Sequence, residues 1–210
     1  MEYTTTAQFL GSHQWLHGHC TALSHGKPPK WAEVRRETET TLAALLKGQT
    51  NTPREGRLTG AEYHNATDEA KKADKSAFAW FSLAHYENSH RNADNWKGSN
   101  CVVLDADGKT PTGETRYFTR GELRERFDGL RFIALPSHSF TVDCPRWRIV
   151  IPLSETIIDR GEYAAAAKHL AGRLDMCVDG KSYTPEQLWF VMSAPKGEWA
   201  THVAQIVVGG

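Results

Sequence analysis

A mixed α+β fold is predicted by three observations. From residue 100 onward the periodic segments follow the order strand, helix, strand, strand, helix, strand. The opening strand, Cys101-Val-Val-Leu104, runs into Asp105-Ala-Asp107-Gly108, so a buried strand ends on two carboxylates at a turn. At 210 residues the chain is long enough for one substantial core, and no apolar run approaches the roughly 20 residues that cross a bilayer.

Bulk composition excludes little else. Lys plus Arg and Asp plus Glu are both 25, so any polyanion site must come from local clustering. Cys20, Cys101, Cys144 and Cys177 form no CxxC pair and follow no secretory signal, which predicts reduced thiols and a cytoplasmic location without membrane association. The chain ends on apolar Ile206 to Val208 and then Gly209-Gly210, as expected of the N-terminal part of a longer protein.

Residues 1–97 precede this regular order and read less evenly. His13, His17, His19, Cys20 and His25 tempt one towards zinc, but their spacing fits no finger, ribbon or HExxH pattern, and a His-rich surface is expected. Trp31, Val34, Leu42, Leu45 and Leu46 predict an amphipathic helix from Trp31 to Lys47, ended by Gly48. Residues 48–60 predict a loop. Thr67 caps a polar helix to about Lys75. Phe78 to Ala84 is aromatic enough for a strand, and His85 to Lys97 is polar.

The core, residues 98–195, follows from its punctuation. After the Asp105 strand and a polar loop, Thr119-Arg-Gly-Glu122 is a capping box opening a helix with Leu123, Phe127 and Leu130 inside. Arg131 to Pro136 is a second strand and runs into Ser137-His138-Ser139. Arg146 to Leu153 is a third strand, Asp159 to Leu174 a second helix, and Gln187 to Val191 a fourth strand. His202 to Val208, within the terminal segment 196–210, predicts a fifth strand. The order β-α-β-β-α-β is that of ferredoxin-like and RNA-recognition-motif-like sheets, with strand order 4-1-3-2.

That order gathers a candidate site. Asp105 and Asp107 share one face of the first strand, and like charges held side by side suit a hard divalent cation, Mg²⁺ or Mn²⁺; a solvated turn is the alternative, since Asp-Gly commonly ends a strand. Asp179 precedes the fourth strand, expected beside the first. Arg146 and Arg148 share a face of the third strand, and guanidinium suits phosphate oxygens. Ser137 and His138 are further phosphate-binding candidates.

The series apolar-Asp-x-Asp, Pro-Ser-His-Ser, Pro-Arg-Trp-Arg-Ile-Val-Ile-Pro-Leu and Asp179 before Gln187-Leu-Trp-Phe190 resembles the archaeo-eukaryotic primase superfamily, in particular primase-polymerases of phages and mobile elements. The resemblance covers about residues 75 to 195. It implies a primase-polymerase fold, an RNA-recognition-motif-like catalytic sheet extended by an N-terminal α/β module from residues 1–97, and template-directed nucleotide transfer in DNA replication, in a bacterial host's cytoplasm if phage-encoded. It also implies catalysis by two metal ions, Mg²⁺ or Mn²⁺, held by Asp105, Asp107 and Asp179. Nucleoside triphosphate would meet Arg146, Arg148, Ser137 and His138. Single-stranded DNA template and primer would meet Arg91, Lys97 and Lys196, and a replicative helicase domain is a further implied partner. The superfamily's Ser-x-His slot reads Arg146-Trp147-Arg148, a departure that bears on whether initiation is retained beside extension.

Two other readings compete. Val-Val-Leu-Asp105-Ala-Asp107-Gly is close to the haloacid-dehalogenase nucleophile motif, although Lys109 stands where its threonine belongs. A replication module that binds nucleic acid with an idle metal site is the other, favoured by the Arg-x-Arg departure.

Overall fold

The computed structural model describes residues 14–20, 32–33, 37–75, 78, 80–87, 90–110 and 112–210. It opens on β1 (Gln14–Cys20), β2 (Ala32–Glu33) and β3 (Glu37–Thr41), followed by α1 (Leu42–Thr50). The helix expected from Trp31 thus starts only at Leu42, while Trp31 itself and residues 34–36 lie outside the described residues. Thr38, Thr40 and Thr41 supply the reason: β-branched side chains suit a pleated ribbon, and Glu37–Thr41 pairs antiparallel with β1. Of the histidine-rich cluster, His13 and His25 lie outside the described residues.

Next come β4 (Glu55–Thr59), α2 (Gly60–Asn65) and α3 (Asp68–Lys75). β4 corrects the loop expected over residues 48–60; only a tertiary partner, a late strand running parallel to it, makes it regular. Thr59 and Glu62 form a reciprocal capping box that starts α2. Thr67 caps α3 as expected, its hydroxyl accepting the Ala70 N–H at 3.3 Å. The aromatic run after Phe78 divides into β5 (Trp80–Ser82) and β6 (Ala84–Tyr86), with β7 (His90–Arg91) behind them.

The remaining elements are β8 (Trp96–Ala106), α4 (Arg120–Arg126), β9 (Phe132–Pro136), β10 (Trp147–Ile157), α5 (Arg160–Gly172), a 3₁₀ turn at Gly180–Tyr183, β11 (Trp189–Phe190), β12 (Ala194–Lys196), α6 (Trp199–Gln205) and β13 (Val207–Gly209). The Thr119–Glu122 capping box is present, and Asp159 caps α5 by accepting the Glu162 N–H at 2.9 Å. His202 lies in α6, so the expected fifth strand is confined to β13.

The central sheet has the order β13-β9-β10-β8-β6, and each neighbouring pair is antiparallel. β8 and β9 therefore run the same way with β10 between them, a split βαβ unit closed by α4. The fourth place beside β8 departs from the expected 4-1-3-2 order. β6 occupies it, and β11 pairs with β5 in a second sheet of order β11-β5-β1-β3. Near Asp105 the 3₁₀ segment satisfies the strand's outer edge instead: the Asp179 N–H donates to the Asp105 carbonyl at 2.8 Å, and the Asp105 N–H donates to Ser182 Oγ at 3.0 Å. No backbone group at that residue is left for a fourth strand.

Both faces of the central sheet are covered, which is why β8 reads as a nearly continuous apolar run. Val102, Leu104 and Ala106 face a core completed by Leu123, Ala167 and Leu170 of the helical layer. Cys101 and Val103 face the other core, with Val150, Leu135, Leu45, Phe81 and Trp189. Among the described residues no helix is long and apolar enough to cross a membrane, and Cys101, Cys144 and Cys177 are free thiols.

Candidate active site

The period of two along β8 continues the row Cys101, Val103 into Asp105, so a carboxylate emerges where the second core ends. β10 presents the matching row, Val150 and then Arg148, and the register sets Arg148 directly across from Asp105. Arg148 Nη2 stands 3.7 Å from Asp105 Oδ2, with 11% and 25% of the two side chains exposed. Arg148 is held from two further directions. Its Nη1 donates to the Phe190 carbonyl, and its guanidinium lies 5.4 Å from the Trp189 ring centre. The register continues to Trp147 across from Ala106, so Arg146 and Asp107 each directly follow the last paired residues of the two strands, and on the other flank the Ser137 N–H donates to the Arg146 carbonyl at 2.9 Å. The Nε atoms of Arg146 and Arg148 are buried and have no hydrogen-bond partner among the described residues.

A cation the sequence did not single out completes this rim. Lys75, at the end of α3, lies 5.7 Å from the centre of the Tyr63 ring. Burial lowers its pKa; Asp105 opposes that shift, while Arg146, Arg148 and Lys71 add to it. Burial likewise raises the Asp105 carboxyl. Arg148 pulls it back, the Asp179 and Asp107 charges push it up again, and Lys75 opposes them. Four acidic or basic side chains from four separate stretches of chain thus act on one carboxylate.

Asp107 and Asp179 each commit one oxygen to their own turn, Asp107 Oδ1 accepting the Lys109 N–H at 3.2 Å and Asp179 Oδ1 the Lys181 N–H at 2.9 Å. As placed, no three His, Cys, Asp or Glu side chains among the described residues are grouped closely enough to hold a metal ion. The donor chemistry nevertheless suits a hard divalent cation, since all three are carboxylates and the charges of Asp179 and Asp107 both act on Asp105, after burial, to raise its carboxyl.

The other expected residues sort by position. Ser137 stands beside Arg146, its hydroxyl 3.3 Å from that of Ser139. His138 is buried, and both ring nitrogens are engaged inside the protein, Nδ1 with Ser193 Oγ at 3.0 Å and Nε2 with Asp74 Oδ2 at 3.1 Å. Burial holds its imidazole well below the ordinary range, although Asp74 opposes this. As placed, His138 supports the wall of the site rather than opening into it. Lys97 lies on β8 eight residues before Asp105, about 26 Å away along the strand, and pairs with Glu87 at 2.8 Å. Arg91 Nε donates to the Glu186 carbonyl at 2.6 Å. Lys196 is on β12, beside β4. The structure does not gather Arg91, Lys97 and Lys196 into one patch with the carboxylates.

The residues missed were Lys75, Asp74, Ser182 and Ser193. Lys75 and Asp74 sit in a helix whose polar composition reads as solvated, and only the fold turns that end of it inward. Ser182 carried a legible signal, since Asp179-Gly-Lys-Ser182 has the spacing of a side-chain-capped turn.

Comparison with known proteins gives a family and one solved structure. The family described as VapE N-terminal domain matches residues 17–205. The polymerase domain from Mycobacterium tuberculosis ligase D, solved in complex with DNA, matches at 14% identity with a TM-score of 0.38, covering 92% of this chain and 77% of that one. No curated protein matches.

Proposed function

From the premise that the chain belongs to the VapE N-terminal domain family, matched over residues 17–205, we propose that it is a template-dependent nucleotidyltransferase, a DNA primase or polymerase acting in phage or mobile-element replication. The observation that carries this reading is the rim itself. Asp105 and Arg148 stand opposite each other on neighbouring strands, with Asp107 and Asp179 on the acidic side and Arg146 and Lys75 on the basic side. A site that must hold divalent cations next to a polyphosphate needs both signs of charge within one cleft. The order of motifs that resembles the primase superfamily supports the same assignment.

Asp105, Asp107 and Asp179 would hold Mg²⁺ or Mn²⁺, whose chemistry there is to acidify the attacking 3′-hydroxyl and offset charge on the α-phosphate and leaving pyrophosphate. Arg148 is placed to exchange partners. While Asp105 faces it, the guanidinium is paired. With Asp105 engaged elsewhere, Arg148 would keep its Phe190 and Trp189 anchors and could turn the rest of its guanidinium to phosphate oxygens. Arg146, Lys75 and Ser137 extend the same anion-binding row. His138 holds that row in place through Asp74, the neighbour of Lys75.

A phosphatase built on Asp105 and Asp107 would need repeated βαβ units and a parallel sheet, whereas both neighbours of β8 are antiparallel to it.

Incubation with primed and unprimed single-stranded template, labelled nucleotides and Mg²⁺ or Mn²⁺ tests the proposal. Growth of product on primed template that Asp105→Ala abolishes is the expected result. Phosphate release from a small phosphoester without incorporation would overturn it, and salt-sensitive DNA binding without either activity would mark a binding module. Arg148→Lys, which keeps the charge but loses the planar fork, is expected to raise the nucleotide KM about tenfold, or ~1.4 kcal/mol, in the same assay.

A further inference from the structure

We infer that Asp175, with Arg116 and Arg126, forms a brace that sets the separation of the loops carrying Asp107 and Asp179, a positioning role that rests on the ion site proposed above. Asp179 is reached from α5 through a turn in which two consecutive non-glycine residues, Asp175 (φ 50°) and Met176 (φ 61°), are left-handed. L residues adopt that conformation at a cost and keep it where the surroundings impose it. Here the Met176 N–H donates to the Ala171 carbonyl at 3.0 Å and the Cys177 N–H to the Leu174 carbonyl at 2.8 Å. The Asp175 carboxylate pairs with Arg116 and, at 2.9 Å, with Arg126.

These two arginines reach the turn from the other carboxylate's side. Arg116 belongs to the loop that follows Asp107, and its N–H donates to the Gly108 carbonyl at 2.8 Å. Both guanidinium groups rest 5.1 Å from the ring centre of buried Phe118. The Phe118 carbonyl accepts the indole N–H of Trp147 at 2.7 Å, and Trp147 stands between Arg146 and Arg148 on β10. Arg126 is fixed as well, because it and Arg173 each donate to the other's carbonyl, at 2.8 and 2.9 Å.

The brace spans a gap. An open bowl of about 520 Å³ is lined by Thr110, Thr112, Glu114, Thr115 and Arg116 from the loop after Asp107 and by Asp175 and Met176 from the turn. Across it the ion pairs, anchored on the central sheet through Phe118, hold the two loops in register. Past the turn, the chain returns to the site at once, where the Asp179 N–H meets the Asp105 carbonyl.

Mn²⁺ binding to the full chain, followed by the loss of the free-ion electron paramagnetic resonance signal, tests this. Asp175→Asn removes the charge but keeps a side chain that tolerates the left-handed turn. It is expected to weaken Mn²⁺ binding by about five- to tenfold, between the effect of an exposed ion pair and that of a buried outer-shell ligand. Arg116→Gln, which leaves Asp175 paired with Arg126, is expected to weaken it by about threefold. In an Asp179→Asn background, Asp175→Asn is expected to change nothing further, because the brace acts through Asp179; a general loss of structure would weaken both backgrounds alike. Circular dichroism melts establish that each variant is folded. An Asp175→Asn isotherm superimposable on wild type overturns the brace alone. If Asp105→Asn and Asp107→Asn also bind Mn²⁺ as wild type does, the ion site falls and the brace with it.

Discussion

Asp105 is stabilised and destabilised by different neighbours, and the balance has a measurable sign. Its carboxyl is raised above the ordinary value of 3.8, by burial first. The folded state therefore holds the proton more tightly than the unfolded chain does. The stability contributed by the protonated form is fully present below the unfolded value and is lost as pH climbs through the folded one. Asn at this position approximates the protonated carboxyl. Asp105→Asn is thus expected to melt higher than wild type near neutral pH, with the gain vanishing in acid, while nucleotide incorporation falls about a thousandfold, or ~4 kcal/mol. Melting curves at two pH values beside the incorporation assay check both halves. A variant that loses activity and stability together at neutral pH would contradict the charge balance described for this site.

At the scale of elements, the relay Asp74–His138–Ser193 joins pieces that the chain leaves far apart. Asp74 lies in the last turn of α3 and also accepts the Arg57 N–H of β4 at 2.6 Å; His138 follows β9; Ser193 lies between β11 and β12. All three side chains are buried, so removing one partner leaves another polar group unpaired. Asp74→Ala is expected to cost about 2–3 kcal/mol in urea unfolding. The relay also makes the fold acid-sensitive in a defined direction. His138 is held below its ordinary 6.5 by burial, so the unfolded chain takes up the proton first and stability is lost as pH falls from 6.5 towards the folded value. His138→Gln is expected to flatten that part of the stability–pH profile. An unchanged profile would place the acid sensitivity elsewhere.

For the whole molecule, the central sheet depends on the N-terminal residues for one of its two covers. Leu45, Phe81 and Leu83 pack on the face formed by Cys101, Val103, Ile133, Leu135 and Val150, and β6 closes the edge of β8. A fragment spanning residues 98–210 is therefore expected to lose cooperative unfolding and to bind a hydrophobic dye, since five core positions on that face would meet water. A sharp, two-state denaturant transition for the fragment would show that the helical layer alone suffices. The formal net charge of 0 has a consequence at this scale too. If the chain binds DNA as proposed, the affinity has to come from local basic side chains rather than from net charge, and the slope of log affinity against log salt concentration counts how many of them meet phosphate.

Much of this was written in local pattern. The Thr119–Glu122 box, the Asp159 cap and the order of elements in the β8–α4–β9–β10 unit follow from periodicity and caps, which are interactions among residues close in the chain; the adjacency of the Asp105 and Arg148 strands follows from that order, and their register from the fold. Tertiary structure alone decided that Trp189–Phe190 leaves β8 for a second sheet, that a hydroxyl at Ser182 takes over the backbone bond a fourth strand would have made, and that Lys75 turns inward while His138 is sealed behind it. The reason is common to all of them. Edge pairing and the direction in which a polar side chain is buried depend on which distant segment arrives to satisfy a hydrogen bond or cover an apolar face, and short-range spacing holds no record of that arrival.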